Sequence, residues 1–349
     1  MTSSSADPGR IVIRPPNWLG DAILAVPAMT AIRDRFPAAH LTVAASASVA
    51  ALFREDTPVR PDRVLDLASS TRLAVPVLEQ EGFDLGVLFP NSFRSAWQFW
   101  RAGIPERWGY ASSGRRWLLT RRAAKPSRGE AAHQRDYYSH LARALGCEVD
   151  PSVLPSVAPR GPSKERAAAL LAQHHVDMER PLVGFAPGAA YGQAKQWPPA
   201  RVAEVIAHTV RAHDATCVIF GADHDRDAAR AIESWLRAHA ADTERRVVNL
   251  AGRSSLGALV GLVQRMTVFV SNDSGAMHLA AALGRPVVAI FGPTDERATR
   301  PLGDHTVLTA SVFCRPCLLR DCPIDHRCMK RISPDMVSAA VTATLADGR

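Results

Sequence analysis

Lysine is nearly absent from this chain. Of 42 basic residues only four, Lys125, Lys164, Lys195 and Lys330, are lysine. Where surface cations are otherwise written as arginine, a lysine inside a loop motif is a chemical choice, and Lys195 occupies such a loop. Long apolar runs are also missing: none approaches the roughly 18 residues of a membrane-spanning helix. Met1 to Gly9 lack the charged and apolar regions of a secretory signal and read as a loose tail. We therefore expect a cytoplasmic protein, able to touch a membrane surface without crossing it. Three familiar site signatures are absent as well. There is no G-x-G-x-x-G after a strand and no G-x-x-x-x-G-K-[ST] loop, which disfavours dinucleotide binding and P-loop ATP hydrolysis. The G-x-S-x-G elbow of α/β-hydrolases is missing too.

What is present suits a two-domain α/β protein. The chain has 349 residues, 47% hydrophobic and 22% charged, enough to bury full cores. Its net charge of +8 suits an anionic partner. A phosphate-bearing small molecule, an anionic lipid surface and nucleic acid all satisfy that condition, but no recognised nucleic-acid module occurs.

Residues 267–295 organise the rest. Two apolar runs, Thr267–Val270 and Pro286–Phe291, bracket a small-residue helix, the pattern of a strand–helix–strand unit in a parallel sheet. Between strand and helix lies Ser271-Asn272-Asp273-Ser274-Gly275. Asn272, Asp273 and Ser274 all suit a helix N-cap, and Gly275 permits close approach to the backbone. Such a helix start favours a phosphate or a network of sugar hydroxyls. His278 falls one turn in, on the face of Ser274.

In chain order, Ile11–Arg14 reads as a strand. Pro15-Pro16-Asn17-Trp18-Leu19-Gly20 then leads to Asp21 at the entry of a helix over about residues 22–35. Asp21 lies at the carboxyl end of that strand, where open α/β sheets bind ligands, though a carboxylate there also serves as an N-cap. Leu41–Ala45, Arg63–Leu67 and Leu85–Phe89 continue the strand–helix alternation of a doubly wound parallel sheet. The last is followed by Pro90-Asn91-Ser92-Phe93-Arg94-Ser95, again polar groups opening a helix. Residues 101–135 form a basic stretch carrying Arg101, Arg107, Arg115, Arg116, Arg121, Arg122, Arg128 and Arg135, interleaved with Trp108, Tyr110 and Trp117. It is read either as a receiver of an anionic acceptor or as a solvated irregular face. A proline-rich linker over 150–163 separates this half from a second one, which opens with a helix from Ser163.

The second half repeats the pattern, with strands at Pro181–Ala186, Thr216–Phe220 and Val247–Leu250 ahead of the organising unit. The loop Pro187-Gly188-Ala189 to Ala194-Lys195-Gln196-Trp197-Pro198 has small residues for close approach and a lysine suited to a diphosphate. With 221–225 and 271–278 it makes three strand-end loops that point to a nucleotide-type ligand.

Five separated motifs resemble the ADP-heptose:lipopolysaccharide heptosyltransferases (glycosyltransferase family 9), closest to members that add the second heptose. They are Pro16-Asn17-Trp18-Leu19-Gly20-Asp21, Pro90-Asn91-Ser92-Phe93-Arg94-Ser95, Ala102-Gly103-Ile104-Pro105, the 187–198 loop and Asn272-Asp273-Ser274-Gly275-Ala276-Met277-His278. The resemblance implies a GT-B enzyme, two Rossmann-like domains with parallel sheets facing across a cleft. An acceptor domain would span 10–155, a donor domain 164–330, and a helix within 331–349 would pack back across both. It further implies inverting transfer of L-glycero-D-manno-heptose from ADP-heptose to the first heptose of heptosyl-Kdo2-lipid A. The family needs no cofactor or metal, and its members work at the cytoplasmic face of the inner membrane; a monomer is expected. Asp21 would be the catalytic base and, with Lys195, the catalytic pair. Lys195 and the N–H groups of Ser274, Gly275 and Ala276 would meet the charge of departing ADP. Gly188, Ala189, Asp223, Asp273 and His278 complete the expected donor site, and Asn17, Trp18, Asn91, Ser92 and Arg94 the acceptor site. A sister transferase with another acceptor or nucleotide-sugar, and a non-catalytic nucleotide-sugar binder, are the alternatives.

Cys314-x2-Cys317-x4-Cys322-x5-Cys328 stands apart, with Asp325 and His326 among its residues. The spacing leaves structural zinc, a redox pair, or plain reduced cysteines with an occasional disulfide as readings. Joined to the basic stretch, the zinc reading would make a nucleic-acid binder, which requires the strand-end loops to be coincidental. The family resemblance gives the cluster no catalytic part.

Overall fold

Near-continuous apolar strands such as Val183–Phe185 and Val287–Phe291 can be buried only in a sheet covered on both faces, which favours a parallel arrangement. The computed structural model, which describes residues 7–127 and 129–347, contains two such sheets. Most of the N-terminal tail (Met1 to Ala6) and Arg128 of the basic stretch lie outside the described residues.

The first sheet comprises β1 (Arg10–Arg14), β2 (His40–Ala45), β3 (Arg63–Asp66), β4 (Leu85–Leu88), β5 (Glu106–Tyr110) and β6 (Arg121–Ala123). Its order is β3-β2-β1-β4-β5-β6, all parallel, with Ile13 paired to Val43 on one side and Val87 on the other. The second comprises β7 (Leu182–Ala186), β8 (Thr216–Ile219), β9 (Val247–Asn249), β10 (Val268–Asn272), β11 (Val287–Phe291) and β12 (His305–Thr309). Its order is β12-β11-β10-β7-β8-β9, again all parallel, with Val270 opposite Phe185 and Val288. Both sheets have the doubly wound order of a Rossmann fold. Each has one point where successive connections leave in opposite directions: between β1 and β4, and between β7 and β10. At such a switch point the loops after the two strands diverge and leave a ligand-sized crevice.

The chain divides into two units, residues Met1–Val157 and Ala158–Arg349, at a boundary inside the proline-rich stretch. The final helix, Pro334–Asp347, was expected to pack across both domains. It buries Val337, Val341 and Leu345, and its principal contacts are with the helix Pro199–His213 and with β10, β11 and β12, all in the second unit. Its apolar stripe extends that unit's core.

Three strands escape the sequence reading: β5, β6 and β12. The first two run through the stretch read as basic and irregular. There Arg107 folds back to donate to the carbonyls of Leu118 and Pro105, at 2.6 and 2.9 Å, so its charge serves the backbone. Arg115 is fully buried and donates to Tyr110 O at 3.0 Å, to Ser95 Oγ at 3.3 Å and to Pro90 O. Burial pulls its pKa down to about 10. Arg115 is thus a brace for the loop after β4, and neither reading of the basic stretch describes it. Arg115→Ala should leave several carbonyls unpaired over a cavity and cost about 3 kcal/mol of stability, measurable as a lowered midpoint of denaturant unfolding.

Candidate functional site

At the first switch point, Pro15 and Pro16 end β1, and a helix follows at Leu19–Leu24 with Trp18 as its N-cap. Asp21 lies in the first turn and is not the cap. The helix breaks at Ala25 and resumes over Val26–Arg35. A cleft of about 210 Å³ opens here, lined among others by Asn17, Trp18, Asp21, Asn91, Ser92 and Tyr138. Tyr138 donates its hydroxyl to Asp21 Oδ1 at 3.0 Å. Burial, with the charge of Asp21 beside it, pushes the Tyr138 phenol well above its usual range, so it stays a donor. Asn91 donates to Tyr137 Oη at 2.7 Å, and buried Arg14 reaches Asn17 Oδ1 at 3.4 Å. Ser92 caps the helix Phe93–Arg101 by accepting from Ser95 N at 3.3 Å. Trp18 is 59% exposed at the mouth, an apolar surface without packing duty. Arg94 is exposed on the first turn of the Phe93–Arg101 helix and is not among the cleft-lining residues. A larger groove, about 420 Å³, lies between the helices Pro199–His213 and Arg226–His239, lined by His208, Arg211 and Trp235. No strand-end loop reaches it, so we place the chemistry at the switch points.

At the second switch point the loops after β7 and β10 meet. Asn272, the last residue of β10, donates Nδ2 to Pro187 O at 2.5 Å and accepts from Trp197 N at 3.4 Å, clamping both ends of the 187–197 loop. Ser274 is the N-cap of the helix Gly275–Ala282 by backbone position alone. Its hydroxyl pairs with Ser271 Oγ at 3.1 Å, so the side chain does not cap the helix. Ser274, Gly275 and Ala276 are partly exposed at the positive end of that helix, while His278 is buried one turn in. Lys195 Nζ lies 2.5 Å from Asp273 Oδ2, which also accepts from Thr294 Oγ1 at 2.7 Å. Both charged side chains are largely buried, and Lys195 sits 4.7 Å above the ring of Tyr191. Lysine and aspartate, expected to address different parts of a ligand, are one ion pair here.

Gly188 and Ala189 are buried as the loop leaves β7. A Cβ on Gly188 would fall 2.2 Å from the Asp225 carboxyl carbon. Asp225 is buried and accepts from Ala222 N at 2.9 Å. The acid packed against this loop is therefore Asp225, two residues from the predicted Asp223. Asp223 points to solvent and pairs with Arg226 at 2.7 Å. Gly188→Ala is expected to cost about 2 kcal/mol through overpacking; an unchanged Tm would contradict this packing.

The cysteine-bearing segment is not remote from this site. Ala194 N donates to Arg320 O at 2.9 Å, His326 Nε2 donates to Ala194 O at 2.6 Å, and Tyr191 Oη donates to Leu318 O at 2.9 Å. Arg315 meanwhile donates to Gly292 O at 2.7 Å and Thr294 O at 3.0 Å. Residues 315–326 thus tie the loop bearing Lys195 to the loop bearing Thr294. All six cysteines are free, burial raises the Cys328 thiol, and among the described residues no three metal-ligating side chains are grouped to hold an ion.

The profile of glycosyltransferase family 9 (heptosyltransferase) matches residues 72–327, well over half of the chain. The chain belongs to that family. Among its relatives is lipopolysaccharide heptosyltransferase 2 of Escherichia coli K12, 30% identical over 307 residues, covering 84% of this chain and 85% of the relative. Lipooligosaccharide heptosyltransferase 2 of Haemophilus influenzae is 28% identical over 322 residues, covering 85% and 87%. In structure the chain is similar to the E. coli ADP-heptose lipopolysaccharide heptosyltransferase II, with a TM-score of 0.83 at 27% identity over 97% of this chain and 99% of that one. The fold class is accordingly the α/β GT-B type, built from two Rossmann-like units. As in other family 9 chains, the enzymatic class is glycosyl transfer. No helix among the described residues is long and apolar enough to cross a membrane.

Proposed function

We propose that this glycosyltransferase moves L-glycero-D-manno-heptose from ADP-heptose to the first heptose of heptosyl-Kdo2-lipid A, with inversion at the anomeric carbon. The observation that carries this reading is the buried Lys195–Asp273 pair at the β7/β10 switch point, beside the start of the helix Gly275–Ala282. A cation, a row of helix N–H groups and a carboxylate side by side match a sugar diphosphate: phosphate to the first two, sugar hydroxyls to the third. Gly188 and Ala189 let the backbone approach the nucleotide, and His278 is buried one turn into the helix Gly275–Ala282. Asp223 is turned to solvent just after β8, where it pairs with Arg226.

The first unit supplies the acceptor chemistry. Asp21 accepts the proton from the acceptor hydroxyl as that oxygen attacks the anomeric carbon. The bond from the anomeric carbon to the β-phosphate oxygen breaks, and ADP leaves with the electron pair. Asn17, Trp18, Asn91 and Ser92 line the place where the acceptor sugar would lie, and Arg94 stands outside it for an acceptor phosphate. The added charge on ADP is met by Lys195 and helix N–H groups, so the reaction proceeds without metal or cofactor. We place the enzyme in the cytoplasm, as a monomer, peripheral to the inner membrane that carries its acceptor.

Tyr138→Phe tests how Asp21 is tuned. A hydrogen bond to a carboxylate favours its charged form, so losing the Tyr138 donor raises the carboxyl's pKa. The base is active when deprotonated, and the acid limb of the kcat/KM profile should therefore move to higher pH. An unmoved limb would separate Tyr138 from the base. The function itself is tested by mass spectrometry of acceptors incubated with ADP-heptose. Gain of one heptose on the mono-heptosyl acceptor, and none on the heptose-free one, is expected. A folded, ADP-binding protein that modifies neither would overturn the assignment of donor or acceptor.

A further inference from the structure

The outward face of the helix Phe93–Arg101 is built unlike an ordinary solvated helix. Phe93, Trp97 and Trp100 recur at the four- and three-residue spacing of one helical face, while Ser95, Ala96, Gln98 and Phe99 face the core. Trp117, from the short turn Arg116–Leu118, completes the group. Its four rings touch one another, with centroids 4.8 Å apart for Trp97–Trp100 and 6.1 Å for both Phe93–Trp117 and Trp100–Trp117. Phe93, Trp100 and Trp117 are 41%, 40% and 59% exposed. Folding ordinarily hides rings of this size, and a contiguous exposed cluster marks a surface made for contact.

The stretch of chain that carries the rings is strongly basic. Arg94, Arg101 and Arg116 are exposed beside them. From Phe93 to Ser127 the sequence holds a single carboxylate, Glu106, and that side chain accepts from Trp108 Nε1 at 2.9 Å. Tryptophan with arginine and few acids is the composition of a lipid–water interface: the rings settle at headgroup depth and the guanidinium groups meet lipid phosphates. We propose that this face docks on an anionic phospholipid bilayer. The proposal names the membrane contact of the function read above and rests on its lipid-borne acceptor. The geometry links the two. Ser92 lines the Asp21 cleft and caps the same helix, so the cleft mouth and the first ring, Phe93, are neighbours in the chain. Docking through the rings would hold the cleft at headgroup level.

The test is flotation of the full chain with vesicles of phosphatidylcholine alone or with about a quarter phosphatidylglycerol. The wild type should float with the anionic vesicles, less with neutral ones, and less again as salt is raised. Trp100→Ser with Trp117→Ser should lower partitioning by about tenfold or more, measured well below the variant's own Tm, which the lost ring contacts lower. Arg101→Ser with Arg116→Ser should lose binding only on anionic vesicles. Both pairs should keep the wild-type rate on a deacylated, water-soluble acceptor and lose rate on an acceptor embedded in vesicles. A wild type that fails to float, or a tryptophan pair that floats like wild type, overturns the proposal. So does an equal loss of rate on both acceptors, which would show a structural role. Absence of transfer by the wild type on both acceptors would instead strike the functional reading, since flotation is read without substrate.

Discussion

Asp21→Asn is expected to lower kcat by about 10²- to 10⁴-fold, the span that a positioned general base contributes. The substitution is nearly isosteric, and the amide oxygen it introduces would still accept the hydrogen bond that Tyr138 now gives at 3.0 Å. Stability should therefore hold, and with it the affinity for ADP, which the proposed function assigns to loops of the second unit. The measurement is a paired one: kcat on the mono-heptosyl acceptor, and ADP affinity by calorimetry. Loss of rate with unchanged affinity identifies a group that acts on the reacting atoms. A mutant within about threefold of wild type would move the base elsewhere.

The other large effect belongs to Lys195. Lys195→Met should lower kcat by about 10²- to 10³-fold, as when a preorganised donor to a developing negative charge is removed. It should also cost about 3 kcal/mol of stability, because Asp273 is left buried with Thr294 as its remaining side-chain donor. The two losses are separable. Adding Asp273→Asn removes the stranded charge, so the double variant should recover much of the Tm yet none of the rate. If rate returned with stability, Lys195 would be a structural partner of Asp273 and the departing ADP would be stabilised by other groups.

Which parts of this site could be read from the chain depends on how local their signals are. Lys195, Ser274 and Gly275 were legible because a short apolar strand, a small-residue loop and a helix start are written consecutively. The doubly wound sheets follow from the same alternation. β5 and β6 were not legible, because Glu106–Tyr110 and Arg121–Ala123 carry charges where buried strands carry valine and isoleucine. Only the folded chain shows that Arg107 and Arg115 spend their charge on carbonyls. That Asp225 and not Asp223 packs against the loop was not legible, because a single 3-10 turn, Asp223–Asp225, decides which of two acids faces it. Nothing in a five-residue window fixes that rotation. Tyr138 is 117 residues from Asp21, and Leu318 and His326 are 127 and 132 residues from the Tyr191 and Ala194 that they hold. Such contacts are created by topology, and the chemistry they tune becomes visible only with it. The cysteine spacing drew attention to metal and redox chemistry; that the same segment also holds the loop bearing Lys195, through Leu318 O, Arg320 O and the His326 side chain, could not be read from it.

The most direct test of direct, metal-free heptose transfer is the linkage formed in a reaction run with EDTA. ADP-L-glycero-β-D-manno-heptose and mono-heptosyl Kdo2-lipid A would be incubated with the full chain, and the product's anomeric centre read by NMR. The account predicts one added heptose, α-linked, formed at the same rate with and without EDTA. A β-linked product, or a rate that collapses on chelation and returns with a divalent cation, would contradict it.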